Sequence, residues 1–356
     1  MDTRIRTRAV LCGAFVLCLG GCIAGGSSSA PPVPAAGTLG HRGPARGAGV
    51  APRTKPSPST RRRRYGPGWL SPQAKSGKRL VYVTNIGSIL IFPRDTDNPN
   101  PIGEISDGIT SAYGAFVDAA LNLYVTNQGG SVAVYPLGQT SPSFTYSSGL
   151  SRPLYSVADS HRLFVGDADT GQVVEYALGN GQPQYALQSL GGEVDGVALD
   201  SAGNLYAAYR GGEGGGGVEF WPQGAGTGQN LGIHLNAPQG LAIDSAGNIV
   251  VADTDGAEMV EAFHSGQTSP FAETPGISGV PTGIAVSARE GKVFVSELSH
   301  HVQRANYPKL SEVEDYLVNQ QITGVQGMAI SPPDAPTPVP SPSPMPSASP
   351  VPSSSP

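Results

Sequence analysis

Oxygen-bearing side chains recur at one register of this chain. Asn85, Asn127, Asp167, Arg210, Asp253 and Glu297 each close a short β-prone run, and Asp169 and Asp255 stand two residues beyond two of those positions. Carboxylate and amide oxygens that converge from separate repeats suit a hard cation such as calcium, or a polar ligand held by several rim groups. Those eight residues are therefore the expected ligand-binding set. Asp253 and Asp255 form the expected metal pair, with calcium or another divalent cation as the cofactor. A plainer role competes for the same residues, because Asn and Asp after a strand also bond to turn backbone. His300 and His301 fall in the loop after Glu297 and could ligate a metal or act as a base. Two adjacent residues do not by themselves build a converging site, so no catalytic residue is assigned.

The elements that must position these groups are short and repeated. The runs are LVYVTN at Leu80, NLYVTN at Asn122, RLFVGD at Arg162, NLYAAY at Asn204, NIVVAD at Asn248 and KVFVSE at Lys292. Taking Tyr82, Tyr124, Phe164, Tyr206, Val250 and Phe294 as equivalent gives spacings of 42, 40, 42, 44 and 44 residues. A period near forty with several short strands per copy is the signature of propeller blades. Each run is followed by a second one, such as SVAVYPLG or QVVEYALG, and preceded by a third, such as GVALDSAGN or GLAIDSAGN. Ala158, Ala198, Ala242, Ala285 and Ala329 suit inner strands, where the blades converge, and the aromatic positions should pack between blades. The expected fold is all-β, a six-bladed propeller over residues 79–331, closed by a C-terminal inner strand, Gly327 to Ser331, that joins the N-terminal blade.

Local chemistry supports that register. In the Asp-Ser-Ala-Gly-Asn segments at Asp200 and Asp244, the aspartate can bond to turn backbone while Gly203 or Gly247 takes positive φ. RGGEGGGG from Arg210 to Gly217 lacks the lysine and the strand-to-helix setting of a phosphate loop and is expected to be a rim insertion. SEVEDYLVN, from Ser311 to Asn319, is expected to be a short helical or irregular segment of the last blade.

Charge and cysteine placement bound the function. Residues 1–78 carry thirteen basic groups and one acidic group, whereas residues 79–331 carry nine basic and 25 acidic. The acidic repeat region excludes nucleic acid as its expected partner, since no phosphate-neutralising surface is implied. All three cysteines lie within the first 22 residues, so the repeats hold no disulfide or thiol chemistry. Arg4, Arg6 and Arg8 followed by an apolar run read as a signal peptide over residues 1–21, and Leu19-Gly20-Gly21-Cys22 resembles a bacterial lipobox. The expectation is export, lipidation at Cys22 and membrane attachment as an envelope lipoprotein. Residues 22–66 read as a basic Pro/Gly/Ser stalk containing the Arg61–Arg64 run, residues 67–78 as a lead-in, and residues 332–356 as a Pro/Ser tail.

The segment PQGLAIDSAGNIVVAD, Pro238 to Asp253, resembles the repeat of NHL propellers, including secreted or lipoprotein bacterial members. It is also distantly similar to sugar-lactonase-like and streptogramin-lyase-like propellers. The resemblance covers about residues 79 to 331 and implies architecture more than activity. Lactonase-like relatives imply an early acidic metal ligand with later Asn and Asp, a pattern in which Glu104 and Glu193 find no place. Lyase-like relatives imply central histidines, and this chain offers only His41, His161, His234, His264, His300 and His301. The leading functional expectation is a monomeric propeller that binds or scaffolds an extracellular protein or glycan. The alternatives are a metal-dependent lactonase-like or lyase-like enzyme acting on a small extracellular metabolite, and a purely structural envelope protein.

Overall fold

The computed structural model describes residues 68–211, 215–254, 258–298 and 301–333. The leader, Cys22, the stalk and the tail beyond Pro333 lie outside the described residues, as do Asp255 and His300.

Among the described residues, alternating runs punctuated by Gly, Asp and Pro turns fold as 25 short strands in six antiparallel sheets. Blade one holds β1 (Gly68–Leu70), β2 (Leu80–Asn85), β3 (Ser88–Pro93) and β4 (Gly103–Ile105), with the short helix α1 (Pro72–Ser76) between β1 and β2. Blade two is β5 (Ala112–Val117), β6 (Leu123–Asn127), β7 (Ser131–Tyr135) and β8 (Phe144–Tyr146). Blade three is β9 (Pro153–Ala158), β10 (Arg162–Asp167), β11 (Gln172–Ala177) and β12 (Pro183–Gln188). Blade four is β13 (Glu193–Leu199), β14 (Leu205–Arg210), β15 (Gly216–Trp221) and β16 (Gln229–Asn230). Blade five is β17 (Pro238–Ile243), β18 (Ile249–Asp253), β19 (Met259–Phe263) and β20 (Ala272–Glu273). Blade six is β21 (Pro281–Ser287), β22 (Lys292–Glu297), β23 (Val302–Asn306) and β24 (Ser311–Leu317), and the last strand is β25 (Met328–Ser331). The fold is a six-bladed β-propeller.

Apolar packing follows the repeat. Tyr82 lies with Val125 and Tyr135 of the next blade, and Tyr124 with Val165 and Tyr176. Phe164 lies with Val194 and Trp221, and Tyr206 with Ile249 and Phe263. Val250 lies with Val293 and Tyr307, and Phe294 with Val81 and Phe92 of blade one. The six expected interblade positions thus each seed one interface. Burying a side chain of this size contributes about 2 kcal/mol, so every interface rests on several such groups.

Inner strands approach more closely than alanine allows. Gly114, Gly196, Gly240, Gly283 and Gly327 hold one equivalent position, and a Cβ at each would meet the neighbouring inner strand. At Gly114 that atom would lie 2.5 Å from the Leu154 carbonyl oxygen. Blade three carries Ser156 there instead, and its hydroxyl bonds Thr126 at 3.0 Å.

Ring closure is the one expected from the sequence. β25 pairs antiparallel with β2, from Leu80↔Ser331 to Val83↔Met328. The lead-in belongs to the same sheet, because β1 pairs with β4 on its outer side. At Asp200 and Asp244 the turns form as read: Asp200 accepts the Ala202 and Asn204 N–H groups, each at 2.9 Å, and Gly203 takes φ 78°.

One local expectation is corrected. Ser311 to Leu317 is neither helical nor irregular but the seven-residue outer strand of blade six. It pairs with β23 through Arg304↔Glu314 and Gln303↔Asp315. Glu312, Glu314 and Asp315 break the alternation that marks a strand, and charges of this kind on an outer edge oppose unwanted pairing with another chain.

Candidate functional site

Second strands end, and first strands begin, on one face of the ring, and that face carries the expected residues. Five of the recurring positions address the loop that enters their own blade. Asn85 accepts the Thr323 N–H at 2.8 Å, and Asn127 accepts the Thr110 N–H at 3.0 Å. Asp167 accepts the Ser151 N–H at 2.6 Å, and Asp253 accepts those of Asn236 and Ala237 at 2.8 and 2.7 Å. Glu297 accepts the Ser278 hydroxyl at 3.2 Å. Blade four differs, since Arg210 offers no acceptor. There the third strand supplies the carboxylate, and Glu219 takes the Leu190 N–H at 2.7 Å. Near Asp253, burial and the charges of Asp253 and Glu273 push the Glu261 carboxyl up to about 7. Asp255, the second member of the expected metal pair, is outside the described residues.

Two expected residues are brought together through Glu193 and through Arg152, which the sequence did not single out. Arg152 reaches Asp169 at 2.5 Å and Glu193 at 3.4 Å, and Arg210 reaches the same Glu193 at 3.2 Å. Asp169 and Arg210, from blades three and four, therefore sit in one chain of ion pairs. Arg210 continues inward to Asp195, with Nε at 2.6 Å from its carboxylate. Asp195 is fully buried, and this burial, only partly offset by Arg210, pushes its carboxyl up to about 6.

Side chains of the chain itself cross the ring's axis beside Asp195. Tyr113 of blade two places its hydroxyl 3.2 Å from Gln239 Oε1 of blade five, on the opposite side of the ring. Tyr155 of blade three donates to the Gln326 carbonyl at 2.8 Å, just before β25. The two rings meet edge to face with centroids 5.5 Å apart. Burial, reinforced by the charge of Asp195, pushes the Tyr113 hydroxyl up to about 12 and raises that of Tyr155 as well. At neutral pH both phenols are hydrogen-bond donors, while the Asp195 carboxyl changes protonation nearby.

A third arrangement lies off the axis in blade six. Glu297, His301 and Asp315 place one ligand atom each within 4.8 Å of one another. Gln303 donates to Asp315 at 3.0 Å and to Ser278 at 2.9 Å, and Ser278 in turn donates to Glu297.

Tyr113, Tyr155, Asp195 and Gln239 were not singled out from the sequence, although a signal was present. Each directly precedes the inner-strand glycine position of its repeat, at Gly114, Ser156, Gly196 and Gly240. In blades two, four and five the pairing register shifts across that residue, between Ala112 and Ala115, Val194 and Val197, and Pro238 and Leu241, and a bulge of this kind re-aims a side chain.

No family model matches the chain, and no curated protein matches its sequence. Among solved structures, the chain is similar to a chain of the nidogen/laminin complex, with 16% identity and a TM-score of 0.60. That likeness covers 71% of this chain and 98% of the other. At this identity it shows the fold alone.

Proposed function

We propose that the protein is an exported, lipid-anchored propeller that binds an extracellular protein on the rim around its axis, on the side of blades three and four. The observation that carries this reading is the Tyr113–Gln239 bridge. With the axis crossed by the Tyr113–Gln239 pair, the surface offered to a partner is the rim rather than a bore. That rim presents the Arg152–Asp169–Glu193–Arg210 ion pairs beside Leu190, a large apolar side chain that is 61% exposed. An arginine-bearing polar border around an exposed apolar residue has the composition of a protein-binding patch. The similar solved chain comes from a structure titled for a nidogen/laminin complex, and a protein partner is carried over here as part of the proposal. Anchoring through Cys22 would hold the propeller at the envelope surface.

Site-specific photocrosslinking tests this reading. A crosslinker at Leu190 of the full chain, expressed in cells that export it, should give a discrete protein adduct, and Arg210→Glu should abolish the adduct. The same group at Asn180, in the turn of blade three on the opposite face, should give none. No Leu190 adduct, equal adducts from both faces, or transfer to cell-surface glycan alone would overturn the proposal.

A further inference from the structure

We infer that blade six holds a binding site for a first-row divalent cation of the zinc type, with Glu297, His301 and Asp315 as its protein ligands. The hairpin between β22 and β23 sets the first two opposite each other, since the Glu297 N–H donates to the His301 carbonyl at 3.0 Å. The third comes from the neighbouring strand, where Asp315 pairs with Gln303 two residues after His301. The hairpin and the β23–β24 pairing, with its register shift between Val302 and Gln303, therefore deliver three ligand side chains to one place, their ligand atoms all within 4.8 Å.

Glu297 departs from its repeat in a way that serves this arrangement. The equivalent residues Asn85, Asn127, Asp167 and Asp253 are one methylene shorter and hold backbone N–H groups of their incoming loops. The longer side chain at Glu297 brings its carboxylate to His301 and Asp315. Both carboxylates are also oriented by a shared pair of neutral groups, because Gln303 bonds Asp315 and Ser278 while Ser278 bonds Glu297. Outer hydrogen bonds of this kind fix ligand geometry and are a regular part of metal sites.

Ligand chemistry selects the ion. One imidazole with two carboxylates and a fourth position open to water matches tetrahedral zinc and related divalent metals. Calcium asks for six to eight oxygens and gains little from an imidazole. The site differs from the Asp253–Asp255 pair in residues, blade and preferred metal.

Calorimetric titration of the full chain, stripped of metal by chelation, tests the assignment with zinc alone and with calcium alone. The expected result is one equivalent of zinc bound with a Kd of about 1 µM or tighter. His301→Ala and Asp315→Asn should each weaken it at least about tenfold, whereas Glu273→Gln, at an exposed carboxylate of blade five, should leave it unchanged. Circular dichroism of the metal-free variants should match that of the parent. Cobalt in place of zinc should give visible d–d absorption, which His301→Ala removes. Absence of a stoichiometric zinc site, zinc affinity unchanged in both ligand variants, or stronger binding of calcium would overturn the inference.

Discussion

Replacing Asp195 with asparagine should change how stability depends on pH, because the buried carboxyl titrates near 6 when folded and near about 3.9 when unfolded. Between those values the folded state keeps a proton that the unfolded chain has released. The stability contributed by Asp195 is thus fully present below about pH 4 and is lost as pH rises through about 6. A shift of roughly two units corresponds to about 3 kcal/mol at the plateau, of which about 2 kcal/mol falls between pH 4 and pH 7. Asparagine keeps the shape without the titration, and Arg210 still has Glu193 at 3.2 Å. Urea unfolding of both proteins at pH 4, 5, 6 and 7, followed by circular dichroism, gives the difference in stability at each pH. That difference should move by about 2 kcal/mol in favour of the variant as pH rises. A difference constant to within about 0.5 kcal/mol across the range would refute the reasoning, whatever its absolute size.

Sterics at the inner strands give a second expectation. Gly114→Ala should destabilise by about 3 kcal/mol through overlap with backbone of the next blade, whereas Gly247→Ala, at φ 80° with open space around it, should cost only about 1 kcal/mol. Thermal unfolding ranks the two, and a reversed order would contradict the close approach at Gly114. Deleting Gly327 to Ser331 should leave the Leu80–Val83 edge unpaired and send the protein into aggregates on size-exclusion chromatography, while deleting Pro338 to Pro356 should not change its elution. Cys22→Ala should remove incorporation of labelled fatty acid and release the protein from membranes; retained label in the variant would contradict anchoring at Cys22.

The blade plan was legible because each copy repeats the strand pattern and two copies, at Asp200 and Asp244, repeat a complete hairpin turn. Asp200, Gly203 and Asn204 announce a tight hairpin, and Tyr206 two residues later announces the packing between blades. The rim was harder to read. Asp195 meets Arg210 only because β13 and β14 pair in one register, and Arg152 joins them from another blade. Neither relation leaves a mark in the spacing of residues along the chain. The candidate metal ligands were half visible: Glu297 and His301 lie close in sequence, but Asp315 arrives through β24, whose acidic edge hid its strand character. At Asp118, the turn made by Asp200 recurs with Leu121 at φ 66° where blades four and five have Gly203 and Gly247, so a motif defined by glycine passes over it.

The outer position of β1 has a mechanical meaning. Tension arriving along the chain from before residue 68 enters the propeller at Gly68, whose strand borders only β4 through three residue pairs. Pulled from its free end, such a strand peels pair by pair instead of shearing as a block. Release of residues 68–76 would free a segment of at most roughly 30 Å before load reached Gly77, whose carbonyl accepts the Ser331 hydroxyl of β25. Blade one thus carries an outer clip whose first strand yields before the closing strand, which the same segment meets at Gly77.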